Sequence, residues 1–507
     1  MDAIASHAAS KPDAPAVIEG ERRLTWRAFH ERRARLAHGV AALGVRHGEH
    51  VIVYAPNSTE YLVASAAARA IGTIPVPMNH RLTADEVAYI LDDSDAALVF
   101  VGDPFLAIAE AVRAGASRVR QWVTIGRQRR PWAAHLDDLV AASAGDVAVD
   151  PGANVGGSMI YTAGTTGKPK GALRRTVDQT TLLPRLQAFD LARPHVHLVA
   201  GPLYHSAPGA FALYTQIFGG TNVVMPKFDP EEALALIARH RVTSTFMAPI
   251  LLKRIVDLPE SVRARYDVSS MQVIVMAAAP CPMRVKEEVV RSFGPVLYEF
   301  YGSTELGMNT LLRPEDVLRK PGSCGRAMPG VELAVMDEHG QPRPPREPGE
   351  LFVRHYDGVF DEYYKKPDAT QQARRGEWLS VGDVAWIDEE GFVYICDRVR
   401  DMVISGGVNI YPAEIEDVLH RHPAVQDVAV FGVPDDAWGE RLHAAVQLRT
   451  SISVTVDDLI EFARAHLAGY KVPREVTFHE EFPRDAAGKL LKRVLREPHW
   501  RGRASRV

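Results

Sequence analysis

Short runs rich in β-branched residues recur along this chain, and helical patterns separate them. Residues 51–54, 97–101, 196–200, 222–225 and 272–276 read as buried strands. Between two of them, Asp229-Pro230-Glu231-Glu232 is a helix start. It supplies an N-cap oxygen, a proline for the first turn and acids at the positive end of the dipole. The helix should run to about Arg241. Strands that alternate with helices require an α/β fold with much parallel sheet.

The stretch 340–349, rich in proline and charge, is expected to be a surface loop. After residue 398 the pattern restarts, with strands expected at 425–431 and 444–448 and a helix at 456–467. The expected organisation is a large N-terminal multi-sheet α/β domain, residues 1–398, and a smaller, mobile C-terminal α+β domain, residues 399–507. With 46% hydrophobic residues the chain has apolar material for more than one core.

Charge excludes some functions. A formal net charge of -4 gives no reason to expect a nucleic-acid partner. Cys281, Cys324 and Cys396 are odd in number and far apart, which argues against a disulfide framework or structural zinc. They read as small buried hydrophobes. The N-terminus shows no secretory pattern. The most apolar stretch, 61–78, is broken by Arg69, Gly72, Pro75 and Pro77, so no membrane span is expected. A cytoplasmic protein is expected; peripheral membrane contact and a homodimer both stay open.

The sharpest chemical signal is Tyr161-Thr162-Ala163-Gly164-Thr165-Thr166-Gly167-Lys168-Pro169-Lys170-Gly171, just after the apolar pair Met159-Ile160. Three glycines let the backbone turn tightly and bring N–H groups close to an anion. Three threonine hydroxyls add hydrogen bonds, and Lys170 can pair with phosphate charge. A phosphate-binding loop is the stronger reading over a plain surface loop. The spacing matches neither the P-loop nor the dinucleotide glycine pattern.

This loop resembles the phosphate loop of the adenylate-forming (AMP-binding) superfamily: acyl-CoA synthetases, peptide-synthetase adenylation domains and luciferases. Further matches follow in that family's order. Tyr298-Glu299-Phe300-Tyr301-Gly302-Ser303-Thr304-Glu305 is similar to its adenine and metal segment, and Gly382-Asp383 to its ribose-binding aspartate. Asp397-Arg398-Val399-Arg400-Asp401 and the Ser405-Gly406-Gly407 run resemble its interdomain hinge. Pro483-Arg484-Asp485-Ala486-Ala487-Gly488-Lys489 resembles its catalytic-lysine segment.

The resemblance implies ATP and coenzyme A as substrates, Mg²⁺ as the metal and a carboxylic acid as acyl donor. It implies nucleotide contacts for Thr162, Gly164, Thr165, Thr166, Gly167, Lys170, Ala279, Tyr301, Gly302, Asp383 and Arg398. Thr304 would bond the α-phosphate and Glu305 would help hold the metal. Lys489 would be the transition-state cation, His205 would stand beside the acyl carboxylate and Arg400 would be the hinge. Gly406, Gly407 and Trp438 would line the coenzyme A path. Taken alone, Thr304-Glu305 reads equally as a helix N-cap followed by an acid. Two positions depart from the family pattern: Ala163 stands where a hydroxyl is common, and Arg400 where lysine or aspartate is.

Small residues around His205 (Ser206, Ala207, Gly209, Ala210) and the run Ala277-Ala278-Ala279 leave volume for a fatty, aryl or alicyclic acid; a packed core with close strand–helix approach explains the same residues equally well. Alternative readings are an acyl-AMP ligase that serves a separate carrier protein, a luciferase-like monooxygenase and a silent nucleotide-binding protein.

Overall fold

The computed structural model describes residues 2–143, 157–162, 169–175, 179–355, 360–398, 401–405, 408–435, 438–450, 452–484 and 490–501. Each strand expected from an apolar run is present. They are His50–Tyr54, Ala96–Gly102, Val196–Val199, Thr221–Val224 and Val273–Met276.

Two of these stand in a five-stranded parallel sheet in the order Ile74–Pro77, His50–Tyr54, Ala96–Gly102, Gln121–Ile125, Ala134–His135. The other three belong to a seven-stranded sheet. Its order is Leu297–Glu299, Val273–Met276, Ser244–Met247, Val196–Val199, Thr221–Val224, Pro15–Glu19, Arg22–Thr25. All its pairings are parallel except the last, a hairpin.

The apolar stretch 61–78 divides into the helix Thr59–Ala70 and the strand Ile74–Pro77. Gly72 makes the break at φ +70°, where a Cβ would lie 2.1 Å from the His47 ring. Two prolines are tolerated in the strand because it stands at a sheet edge. Among the described residues no helix is long and apolar enough to cross a membrane.

The helix Pro230–His240 begins where expected. The Asp229 carboxylate accepts from the N–H groups of Glu231 and Glu232, and Arg241 ends the helix in the left-handed conformation. Its Ala233, Leu234, Leu236 and Ile237 pack into a core with Leu198, Val223 and Ile274 from the seven-stranded sheet.

A third, antiparallel sheet holds Val331–Met336, Gly349–His355, Trp378–Leu379, Asp383–Ile387 and Val393–Arg398. Beyond residue 402 the strands Val403–Ser405, Val408–Ile410, Val425–Asp435, Gly439–Leu448 and Glu475–Phe478 form a sheet of their own. With the helices Pro412–His420 and Val456–His466 they enclose a separate core around Val430, Leu442 and Leu459. Residues 340–348 form an exposed connection, and Gly349 opens a strand. Among the described residues none of the three cysteines is joined in a disulfide. Cys324 is buried, whereas Cys281 and Cys396 are only half-buried.

Candidate active site

The threonine- and lysine-rich loop is anchored at both ends by sheet pairing. Ser158–Thr162 and Lys170–Arg174 are antiparallel neighbours, with Thr162 directly opposite Lys170. Positions Ala163, Gly164, Thr165, Thr166 and Gly167 lie outside the described residues, as do Arg400, Gly406, Gly407 and Lys489. The base of the hairpin is fixed to the helix Ala84–Asp93. The Tyr161 hydroxyl donates to Asp93 Oδ2 at 2.8 Å, and Lys366 Nζ lies 3.2 Å from Oδ1. Burial beside the Asp93 charge pushes the Tyr161 phenol upward, so it remains a donor.

Thr304 and Glu305 do not begin a helix. They form the turn of a small hairpin between Gly302–Ser303 and Gly307–Met308. The helix N-cap reading is therefore corrected: the chain reverses here too sharply for a helical turn. A Cβ on Gly302 would sit 1.9 Å from the Gly307 carbonyl oxygen, so only glycine fits there.

The reversal directs the Glu305 carboxylate inward, and the residue is 8% exposed. Its Oε1 accepts from the Thr162 hydroxyl at 3.1 Å and the Tyr363 hydroxyl at 3.0 Å. Lys170 Nζ lies 5.3 Å from the centre of the Tyr363 ring. The loop's first threonine, its last lysine and the Thr304–Glu305 turn thus converge, although far apart in sequence.

Asp383 opens the strand Asp383–Ile387 and is 6% exposed. Its Oδ2 accepts from the Tyr301 hydroxyl at 2.6 Å. Arg398 stands directly opposite on the neighbouring strand. Tyr301 is itself held by its backbone, whose N–H donates to Thr310 Oγ1 at 3.0 Å.

One cleft of about 3240 Å³ is lined by Thr162, Lys170, His205, Ala279, Tyr301, Gly302, Thr304, Glu305 and Asp383. His205 occupies the position just before the helix Ser206–Ile217, and its ring packs against Tyr204 with centroids 4.3 Å apart. Trp438 is not brought to this cleft. It is 49% exposed, with the Arg474 guanidinium 5.5 Å from its ring centre, while the next residues, Gly439 and Glu440, do line the cleft.

Two features of the wall escaped the sequence reasoning. Ala278 has φ +84°, a strained conformation for a residue with a Cβ. Lys286 and Glu299 form a buried ion pair, Nζ to Oε2 2.5 Å, in the wall of the same cleft. No local signal could reveal that pair, because its partners lie on a helix and the following strand. Among the described residues no cluster of three or more His, Cys, Asp or Glu could hold a metal. What the site offers a cation is one carboxylate with hydroxyls beside it. That donor set suits Mg²⁺, which is commonly bound by one or two carboxylates together with phosphates and water.

Residues 4–364 match the family described as AMP-binding enzyme, and residues 414–489 match the AMP-binding enzyme C-terminal domain. The chain is 34% identical over 485 residues to the long-chain-fatty-acid–CoA ligase FadD13 of Mycobacterium tuberculosis, covering 94% of this chain and 93% of that one. It is 36% identical over 488 residues to a feruloyl-CoA synthase of Amycolatopsis sp, covering 96% of each. Among solved structures, the amide bond synthetase McbA of Marinactinospora thermotolerans superposes with a TM-score of 0.85 at 27% identity. That match covers 97% of this chain and 99% of McbA.

Proposed function

The chain belongs to the AMP-binding enzyme family as an AMP-forming acid–thiol ligase, and on that premise we propose which residues act and which acids it takes. The acid is fatty, aryl or alicyclic, and the thiol is that of coenzyme A. Relatives named for a long-chain fatty acid and for the feruloyl group support this range.

In the first half-reaction an oxygen of the acid attacks the α-phosphorus of ATP. The P–O bond to pyrophosphate breaks, and an acyl-adenylate forms. Asp383 accepts hydrogen bonds from the ribose, with Arg398 donating nearby. Ala279, Tyr301 and Gly302 bound the base, and Thr304 donates to the α-phosphate. Thr162, Gly164, Thr165, Thr166, Gly167 and Lys170 receive the outer phosphates.

Glu305 would hold Mg²⁺, which would supply charge neutralisation at those phosphates. Lys489 supports the charge that builds between the carboxylate and the α-phosphate. His205 orients the acid's carboxylate. In the second half-reaction the sulfur of the thiol attacks the acyl carbon, and AMP leaves. We assign residues 1–398 and 399–507 to two parts that rotate about Arg400 between these steps, with Gly406 and Gly407 beside the thiol's path.

The observation that carries the reading is the convergence of Thr162, Tyr363 and Lys170 on the Glu305 turn, with the Tyr301–Asp383 pair along the same cleft. ATP–pyrophosphate exchange with a panel of carboxylic acids tests it, followed by AMP release on addition of coenzyme A. Absence of exchange with every acid would sink it. An amine acceptor is the second reading, favoured by the likeness to an amide bond synthetase. Amide formation with no thioester from coenzyme A would select it.

A further inference from the structure

The cleft contains a second charged station, away from the Glu305 turn. The helix Thr59–Ala70 presents Tyr61, Leu62, Ser65, Ala66 and Arg69 along one face to it, at helical spacing. The facing wall is the helix Ser206–Ile217, which contributes Leu213, Tyr214 and Ile217. His205 stands at the start of that helix. Tyr214 lies eight residues beyond Ser206, about 12 Å along its axis.

Arg69 lines the cleft together with Tyr61 and Tyr214, and its charge interacts with both phenols. Tyr214 also feels the charges of Arg174 and Arg185, both of which line the cleft. The passage therefore leads from the residue assigned to the acid's carboxylate towards a cationic end.

Among the described residues Arg69 has no counter-ion. Its one hydrogen bond is from Nη1 to the Gly157 carbonyl oxygen at 2.6 Å, and no carboxylate lies within 4.0 Å among the described residues. Burial pushes the guanidinium down to about 10, so it still carries its charge at neutral pH. A guanidinium has five N–H donors in a fixed fork, and a single carbonyl uses one of them. The Tyr61 hydroxyl is buried and has no hydrogen-bond partner among the described residues. A cation and a phenol, both short of acceptors, face a passage otherwise lined by Leu62, Ala66 and Leu213. A carboxylate oxygen pair is the group that would complete both.

We propose that Arg69 recognises an anionic group at the distal end of the acid, so that the preferred substrate class is a dicarboxylic acid with an apolar middle. This rests on the reading of His205 as the residue beside the reacting carboxylate. The competing account is structural: Arg69 holds the Gly157 carbonyl, and with it the start of the strand Ser158–Thr162.

The test is calorimetric binding of α,ω-dicarboxylic acids of graded length, each against the monocarboxylic acid of equal length, to the full chain with an ATP analogue present whose α,β-bridge cannot be cleaved. The wild-type protein should bind the diacid of matching length about tenfold to a hundredfold more tightly than the monoacid. Arg69→Met should erase that preference while leaving monoacid binding in place. Arg69→Lys keeps a cation and should retain part of it. Equal binding of both acids by the wild type, or a diacid preference that survives in Arg69→Met, overturns the proposal. A loss of binding for both acids together, with an unfolded circular dichroism spectrum for Arg69→Met and an intact one for Arg69→Lys lacking the preference, also overturns it in favour of the structural role. Pyrophosphate exchange is read in parallel. If no acid supports exchange, the adenylation reading fails, while the binding comparison still decides the role of Arg69.

Discussion

Lys286 is the position where a single substitution should reveal most about how the cleft is held. It lies on the helix Met283–Phe293, whose buried face also carries Val285 and Val289. Its ammonium meets Glu299 Oε2 at 2.5 Å, with side-chain exposures of 3% and 10% for the pair. Burial by itself would lower the lysine; the Glu299 charge outweighs it and holds Lys286 above its ordinary value. Lys286→Met keeps the volume of the stem but leaves the Glu299 carboxylate buried without its cation. Loss of one partner from a buried pair costs about 3–5 kcal/mol.

The double variant Lys286→Met, Glu299→Leu removes both charges and should recover most of that loss, because an apolar pair of similar size is often neutral or better. Urea unfolding of the four proteins of this cycle measures the coupling, expected to exceed about 3 kcal/mol because each single variant leaves a buried charge unpaired and the double leaves none. Glu299 ends a strand two residues before Tyr301. Lys286→Met should therefore also weaken ATP binding, through movement of the Tyr301–Asp383 pair. The reasoning fails if Lys286→Met costs less than about 1 kcal/mol, or if the double variant is no more stable than the weaker single one.

Asp383→Ala should weaken ATP binding by about 1.5–3 kcal/mol per charge-assisted bond without unfolding the protein, and unchanged affinity by calorimetry would remove it from the site. Lys489→Ala should nearly abolish pyrophosphate exchange while thioester formation from supplied acyl-AMP persists; an equal fall in both, in a folded protein, refutes its role. Arg400→Pro fixes φ near -65° and should spare exchange while thioester yield collapses, whereas persistence of both would make Arg400 an ordinary loop residue.

The parallel sheets were legible because buried strands are apolar runs bounded by turns. Residues 97–101 needed no knowledge of their neighbours to be recognised within Ala96–Gly102. The helix Pro230–His240 was legible from its cap alone. Short antiparallel elements were not. Gly302–Ser303 and Gly307–Met308 are two residues each, too short for a period-2 pattern, so Thr304-Glu305 could read as a helix start.

The candidate site residues stand out in the sequence as a set of motifs, but which of them touch does not. Glu305 meets Thr162 across 143 positions, and Asp383 meets Tyr301 across 82. Arg69 shows the same limit from the other side. In the sequence it appeared only as a charge interrupting an apolar stretch. Its meaning comes from the helix that faces it.

The arrangement at Glu305 also indicates how the cleft is prepared for a charged ligand. Both hydroxyls, from Thr162 and Tyr363, donate to the same oxygen, Oε1. Thr162 ends the strand leading into the threonine-rich loop, and Tyr363 belongs to a short strand on the other side of that hairpin. Glu305 is thus tied to both flanks of the loop. Two donors on one oxygen fix the plane of the carboxylate, and among the described residues both of these donors fall on Oε1 rather than Oε2. Hydroxyls that orient a ligating carboxylate do for it what outer partners do for metal ligands in general. Movement of either flank would turn the carboxylate, and movement of the carboxylate would be felt at the loop's anchor, where Thr162 stands opposite Lys170. One acidic side chain thereby couples the orientation of the proposed cation ligand to the anchorage of the loop proposed to receive the phosphates.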